Sequence, residues 1–284
     1  EITRMFNTYY SPNRVANGNF SQEGVEEVTN GDFSQEGSEV VVNGNFTDNI
    51  NNWVSYNSTS TWDNGTIKTT STSDTAWIRQ NGILTQSKQY KVTFKAKASN
   101  ISRNITIWNG AAFVDTGLSF DLSNTYKEFT YYLNFTGSSL HLIIGQTLLS
   151  IGDTINFDNV SVKEVGQDWS FGDGWSVGDS KAVGDGTTFE VLIQSNILTS
   201  GKFYKLNFEI KDYVSGTFRL LPSTRADGAD IRFSGNGTQT VYYESASADL
   251  NIQQQQFLGS VTNISVKEVG QHWTFGTGWS TDGT

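Results

Sequence analysis

The sequence predicts an all-β protein: tandem antiparallel β-sandwich domains that follow an extended repetitive N-terminal segment. Glycine accounts for 28 of the 284 residues, proline occurs twice, and aromatic residues make up 13% of the chain. Apolar and polar residues alternate at 90–97, 128–135 and 203–210, which is the period of half-buried strands. No window has the periodicity of an amphipathic helix, so the prediction contains strands and turns without helices.

Composition narrows the classes of partner and chemistry. The chain has 19 Lys and Arg against 29 Asp and Glu, a net charge of −10, whereas binding to nucleic acid or anionic lipid depends on basic residues. We therefore expect no nucleic-acid partner. Cysteine is absent, which excludes disulfides and thiolate metal sites. No apolar run approaches the ~18 residues of a membrane span, so we expect no membrane insertion.

A repeat of 104 residues divides the chain into modules. Residues 162–176 and 266–280 both begin Val-Lys-Glu-Val-Gly-Gln and place two tryptophans six residues apart. A shorter match between 83–94 and 197–208, at an offset of 114, aligns the interiors of two complete modules. The predicted parts are an N-terminal repeat segment (1–39), a first module (40–166), a second module (167–270) and the start of a truncated third module (271–284).

A second repeat, of 13 residues, occupies the N-terminal segment. Asn-Gly-Asn-Phe at 17–20 recurs as Asn-Gly-Asp-Phe at 30–33 and as Asn-Gly-Asn-Phe at 43–46, where it opens the first module. Two interpretations stay open for the upstream copies. They form a charged, solvated linker, or they are donor strands that complete a sheet in a neighbouring subunit.

The order of motifs in the first module resembles the galactose-binding-like jelly rolls, in particular carbohydrate-binding modules of the CenC type. Asn-Gly-Asn-Phe is followed by Trp53, by Trp-Ile-Arg-Gln at 77–80 and by the strand at 90–94, and the module closes with Phe-Asp-Asn-Val at 157–160. Similar tandem modules, joined by Val-Lys-Glu-Val-Gly, occur in bacteriophage tail fibres and other virion appendages. The resemblance implies jelly-roll domains on a virion surface or in another extracellular location.

The resemblance also implies a structural calcium ion between the first and last strands of a module. The closing motif would supply Asp158, and oxygens near Asn45 would complete a site for a hard cation. Thr262 stands at the aligned position of the second module and carries no charge, so we expect calcium in the first module. The alternative is that Asp158 satisfies a backbone turn.

Carbohydrate binding needs exposed aromatic rings, on which the C–H faces of a sugar stack, and amide or guanidinium groups that hydrogen-bond its hydroxyls. Each aromatic residue has the alternative of a place in the core. Trp62 is set among serines and threonines, and Trp77 shares one predicted strand with Arg79 and Gln80. The candidate sugar-binding residues are Trp62, Trp77, Arg79, Gln80, Trp108 and Tyr132.

Catalysis has little support in the sequence. Gly-Trp-Ser-Val-Gly at 174–178 matches a hydrolase pattern that requires a following helix, but glycine- and aspartate-rich residues follow here. The two histidines, His141 and His272, fall in different modules. We expect no enzyme, but a structural virion appendage protein of the phage-fibre type that self-associates and attaches weakly and multivalently to cell-surface glycans. The alternative is a bacterial extracellular adhesin or filament subunit with purely architectural jelly rolls.

Overall fold

The computed structural model describes residues 15–73, 76–99, 103–108, 113–120, 125–135, 140–144, 151–224 and 230–279. These residues contain strands and no helix, so no helix among them could span a membrane. The prediction of an all-β fold with antiparallel sandwich domains is confirmed. The described residues form a first unit (32–168 with 175–183) and a second unit (15–31 with 169–174 and 184–279).

The strands are β1 (Glu23–Glu26), β2 (Glu36–Glu39), β3 (Val54–Tyr56), β4 (Ser58–Trp62), β5 (Ile67–Ser71), β6 (Ala76–Gln80), β7 (Lys88–Ser99), β8 (Arg103–Trp108), β9 (Phe113–Phe120), β10 (Lys127–Phe135), β11 (Leu140–Ile144), β12 (Thr154–Val165), β13 (Ser170–Phe171), β14 (Trp175–Gly178), β15 (Lys181–Asp185), β16 (Val191–Gln194), β17 (Phe203–Thr224), β18 (Asp230–Phe233), β19 (Gly237–Glu244) and β20 (Leu250–Val269).

The first unit is a sandwich of two sheets. One sheet has the order β10-β7-β12-β5-β4, with β2 paired to β12, and the other has the order β3-β6-β11-β8-β9. Ile78 and Ile107 of the second sheet share one buried cluster with Phe94 and Phe157 of the first. Burial of these apolar side chains stabilises the sandwich by about 25 cal/mol for each Å² removed from water.

Two long strands dominate the second unit. β17 has 22 residues and β20 has 20, and the two pair over most of their length. A straight strand rises about 3.3 Å per residue, yet the rings of Phe208 and Phe218 within β17 are 5.3 Å apart. The strand therefore bends back between them. Gly216 lies in this bend with a φ of 74°, and a Cβ there would lie 1.9 Å from the Gln256 carbonyl oxygen, so the bend requires glycine.

The N-terminal segment contributes strands to both units. β2 pairs with the end of β12, where Glu39 lies opposite Lys163, and β1 pairs with the end of β20, where Glu26 lies opposite Lys267. A solvated linker would place no strand here, and donation to a neighbouring subunit would leave these strands unpaired within the chain. The domain boundaries given above stay a prediction.

Candidate functional site

The outer face of the five-stranded sheet in the first unit carries two aromatic residues with an arginine and a valine beside them. β3 pairs with β6 so that Val54 lies opposite Arg79 and Tyr56 lies opposite Trp77. Residues opposite each other share a face of a sheet, and neighbours along a strand alternate between faces. Since the intervening Ile78 is fully buried in the core, these four residues lie on the outer surface. We call this surface the aromatic face.

Tyr56 and Trp77 form a parallel ring stack at the centre of the described part of this face. Their ring centroids are 4.0 Å apart and their planes differ by 12°. The preceding Trp53 is buried and donates from Nε1 to the Asn43 carbonyl oxygen at 3.1 Å, which fixes the start of β3. Tyr56, three residues later, points away from the core and is 46% exposed. The pair presents a stiff apolar surface that bears a phenolic hydroxyl.

Arg79 lies beside the stack, two residues beyond Trp77 on the same strand. Its Nε is buried and has no hydrogen-bond acceptor among the described residues. Leaving a buried donor unpaired costs about 1–3 kcal/mol, and such groups are uncommon in native proteins. An oxygen of a bound molecule would satisfy this donor. The arrangement can therefore combine apolar stacking with hydrogen bonding to a ligand.

β11, β8 and β9 continue this sheet beyond β6. His141 of β11 pairs with Arg79 of β6 and with Trp108 of β8, and Trp108 pairs with Phe113 of β9. Of the residues predicted from the sequence, the structure brings Trp77 and Arg79 to one face. Trp108 pairs in the same sheet through its backbone, and a sugar-binding role for it stays a prediction.

Gln80 lies on the opposite face of the same sheet and is separated from Trp77 and Arg79. It is 2% exposed, and both polar groups of its amide are occupied by the backbone of one residue. Oε1 accepts the Val42 N–H at 3.1 Å, and Nε2 donates to the Val42 carbonyl oxygen at 2.5 Å. Strand alternation turns Gln80 inward, so its place is structural and the sequence-based grouping with Trp77 does not occur.

Trp62 and Tyr132 lie on the other sheet of the sandwich. Trp62 ends β4, is 45% exposed and donates from Nε1 to the Phe46 carbonyl oxygen at 2.7 Å. Tyr132 lies in β10 opposite Lys91 of β7. The structure does not bring either residue together with Trp77, and a sugar-binding role for them stays a prediction.

Tyr56 belongs to the aromatic face but was not among the residues predicted from the sequence. The signal for Tyr56 was the spacing Trp53-Val54-Ser55-Tyr56, in which Tyr56 faces outward if Trp53 enters the core.

The predicted calcium site has one carboxylate among the residues named for it. Asp158 Oδ1 accepts the N–H of Asn159 at 2.7 Å, a contact that agrees with the backbone-turn alternative. The Val160 N–H donates to the Gly44 carbonyl oxygen at 2.8 Å, so the segments containing Asp158 and Asn45 run side by side. Calcium takes 6–8 oxygen ligands, and the described residues hold no group of three or more His, Cys, Asp or Glu that could bind a metal. The calcium site stays a prediction.

No protein-family model and no curated protein matches the chain. Among solved structures, the chain is similar to the CBM22-1–CBM22-2 tandem domain of Xyn10C from Paenibacillus barcinonensis, with 9% identity and a TM-score of 0.39 over 83% of this chain and 99% of that chain. It is also similar to a CBM4 structure (19% identity, TM-score 0.33, 44% of this chain and 99% of that one). A third similar structure is allantoicase from Saccharomyces cerevisiae, with 9% identity and a TM-score of 0.28 over 75% of this chain and 81% of that chain. With such low identities and TM-scores, function has to be inferred from the residues of the chain itself.

Proposed function

We propose that this chain is a non-enzymatic carbohydrate-binding protein and that the aromatic face of the first unit is its sugar-binding surface. The observation that carries the proposal is the parallel stack of Tyr56 and Trp77 beside Arg79. Sugar rings present C–H groups that pack on aromatic surfaces, and their hydroxyls accept hydrogen bonds from a guanidinium group. Apolar contact with a few convergent polar groups is the usual composition of a ligand site.

A carbohydrate fits this face better than a nucleic acid. Aromatic residues beside an arginine can also stack the bases of a single strand. Binding of the phosphate backbone, however, requires many basic residues, and the chain carries a net charge of −10. Uncharged sugar rings meet no such repulsion, so a neutral glycan is the ligand class we propose.

The same face supports binding without cleavage. Glycoside hydrolysis ordinarily needs two carboxyl groups about 5–9.5 Å apart, one on each side of the bond that breaks. β3 and β6, the two strands whose side chains form the described aromatic face, contain no Asp or Glu. The face therefore suits a module that holds a glycan while the chemistry, where there is any, occurs elsewhere.

The wider setting that we propose is extracellular. Weak sites gain apparent affinity when several act together, so a sugar-binding module is effective in an assembly of copies. The role in a virion appendage of the phage-fibre type, the alternative role in a bacterial adhesin or filament, and self-association all stay predictions from the sequence resemblance.

Glycan-array binding of the full chain tests the proposed sugar-binding surface. We expect selective binding by the unmodified chain and a loss of about tenfold in affinity for Tyr56→Ala and for Trp77→Ala, equivalent to about 1.4 kcal/mol. Phe189→Ala is the control, because it removes an exposed aromatic residue from the second unit, away from every candidate sugar-binding residue. Its affinity should equal that of the unmodified chain.

Two results would overturn the proposal. One is an array without binding by an unmodified chain that is folded by circular dichroism. The other is full binding by both Tyr56→Ala and Trp77→Ala. In either case the purely architectural role would become the better interpretation.

A further inference from the structure

Each copy of the 13-residue repeat holds a different tryptophan in the same way. In all three cases the indole Nε1 donates to the carbonyl oxygen of the first asparagine of the copy, at 3.1 Å. The pairs are Trp53 with Asn43, Trp169 with Asn30, and Trp273 with Asn17. The order of these three tryptophans along the chain is the reverse of the order of the copies, so the first copy is paired with the last of the three.

The second copy is held in the second unit by a glutamine. Gln194 Oε1 accepts the Thr29 N–H at 2.8 Å, and its Nε2 donates to the Thr29 carbonyl oxygen at 2.8 Å. Gln80 makes the same pair of bonds to Val42 in the first unit. Gln194 lies 114 residues after Gln80, at the offset that aligns the two modules.

Backbone pairing repeats in the same manner. The Ile264 N–H donates to the Gly31 carbonyl oxygen at 2.9 Å, as the Val160 N–H donates to Gly44 at 2.8 Å. The lengths differ by little, and Ile264 follows Val160 by the 104 residues of the long repeat. Copies 2 and 3 thus enter equivalent positions beside the last strands of two different modules.

A glutamate in β1 and another in β2 complete the equivalence. Glu26 accepts the N–H of Val266 at 2.7 Å and the hydroxyl of Ser265 at 2.5 Å. The corresponding contacts of Glu39, with the N–H of Val162 and the hydroxyl of Ser161, measure 2.8 Å and 2.5 Å. A solvated spacer would not be expected to form the same contacts at two positions 13 residues apart.

We infer that the modules are nested, each inserted between the first strand and the remainder of the next. β2 with copy 3 forms the first strand of the innermost module, which ends at residue 166. β1 with copy 2 forms the first strand of the second module, whose remainder is 167–270. Copy 1 begins a third module together with residues 271–279. Phe20 packs on Trp273 at a centroid distance of 5.1 Å, as Phe46 packs on Trp53 at 5.5 Å.

Hydrogen exchange of the full chain, measured by mass spectrometry, tests the nesting with one glycine from each copy. A Cβ at Gly31 would lie 2.0 Å from the Ile264 carbonyl oxygen, and one at Gly44 would lie 1.9 Å from that of Val160. At Gly18 the nearest of the neighbouring atoms is a Val15 methyl group at 3.2 Å. Alanine at Gly31 or Gly44 must therefore displace its copy, whereas Gly18→Ala is a mild control.

The expected result is module-specific. Gly31→Ala should speed amide exchange about tenfold or more in 203–224 and 250–269 and leave 88–99 and 154–165 unchanged. Gly44→Ala should do the reverse, and Gly18→Ala should change neither set. Unchanged protection of 203–224 and 250–269 in Gly31→Ala, or equal acceleration in both modules, would overturn the nesting.

A milder pair of variants keeps the test decisive if an alanine variant fails to fold. Gln194→Leu and Gln80→Leu each remove two hydrogen bonds to one copy without a backbone clash, and they should show the same split between modules. Equal effects of the two leucine variants on both modules would overturn the nesting. Exchange is measured without ligand, so the result is independent of the proposed sugar binding.

Discussion

The two modules present different surfaces at the same place in the fold. In the first unit this place holds the stack of Tyr56 on Trp77. Trp169 of the second unit corresponds to Trp53, and Gln194 corresponds to Gln80. The positions equivalent to Tyr56 and Trp77 are therefore Gly172 and Val191, and the Gly172 N–H donates to the Val191 carbonyl oxygen at 2.8 Å. A Cβ at Gly172 would lie 2.9 Å from both the Glu190 Cβ and the Val191 carbonyl oxygen, so no side chain fits there. The second module cannot form the stack.

In the second unit, the neighbouring positions carry arginine and glutamine side chains that hydrogen-bond to each other. Arg219 donates from Nε to Gln253 Oε1 at 2.8 Å, and Arg232 donates to Gln255 Oε1. By contrast, the Arg79 Nε of the first unit has no acceptor among the described residues. Inward residues such as Gln80 and Gln194 are equivalent in the two modules, while outward residues differ. One fold here carries two surfaces, and only the outward positions decide which surface is suited to a ligand.

The largest difference that we expect between the modules concerns calcium. If Asp158 binds calcium, and free calcium is present at about a hundred times its Kd, the ion stabilises the first module. Chelation should then lower the free energy of unfolding of that module by about 2.7 kcal/mol. Thermal melts of the full chain with and without EDTA measure the effect. Asp158→Ala should remove the difference, and Thr262→Ala, the matched change in the second module, should preserve it. Identical melting curves with and without chelator would end the calcium prediction.

A smaller effect is expected from removing the guanidinium group of Arg79, whose Nε has no acceptor among the described residues. Arg79→Met keeps the aliphatic stem and removes the donor, so glycan affinity should fall about fivefold, near 1 kcal/mol, while the melting temperature stays level or rises. Arg219→Met should do the opposite, because it breaks a bond to Gln253 and leaves the sugar site intact. Calorimetric titration and thermal melts separate the two effects. Lower stability with unchanged affinity in Arg79→Met would show that Arg79 acts structurally.

The smallest effect is a pH dependence shared by both modules. Hydrogen bonds from Lys91 and Lys163 lower the pKa of Glu36, and those from Lys205 and Lys267 lower the pKa of Glu23. A carboxyl group whose pKa is lowered by folding stabilises the protein fully above its unfolded pKa, near 4.3, and that stabilisation is lost as the pH falls through the folded value.

Each of these partly exposed networks should contribute about 0.2–1 kcal/mol. Glu36→Gln should therefore flatten the loss of protection with acidification in the first module, and Glu23→Gln that in the second. Hydrogen exchange between pH 6 and pH 3, corrected for the intrinsic exchange rate, measures both. Glu128→Gln, which changes a more exposed partner of Lys95, is the control. Acid profiles identical to the unmodified chain in both variants would contradict the assignment.

The sequence predicted the strands better than it predicted which side chains share a surface. Alternation at period two identified β7 and β10 because one face of each is buried. The same alternation separates Gln80 from Arg79, its neighbour along β6, so closeness along the chain was a poor guide to a shared surface. The Tyr56–Trp77 stack depends on how β3 and β6 pair, and that register is set by tertiary structure.

The partners of the N-terminal copies could not be predicted from local sequence. Copies 1 and 2 are nearly identical over 17–24 and 30–37, so neither carries a mark of the module that it joins. The contacting tryptophans Trp169 and Trp273 lie well over a hundred residues further along the chain. Such pairings depend on loop closure and on which strand edges are already occupied, and both are properties of the folded chain.

The glutamine amides that grip the N-terminal copies have a consequence for how such a protein can lengthen. Gln80 and Gln194 bind the N–H and carbonyl groups that every residue except proline possesses, and the side chain at the gripped position is exposed to solvent. One position accordingly carries Val42 and the other Thr29 without loss of either bond. These hydrogen bonds do not depend on which side chain the bound residue carries. A duplicated strand can therefore bind to a duplicated module at once, before any substitution has adapted one to the other.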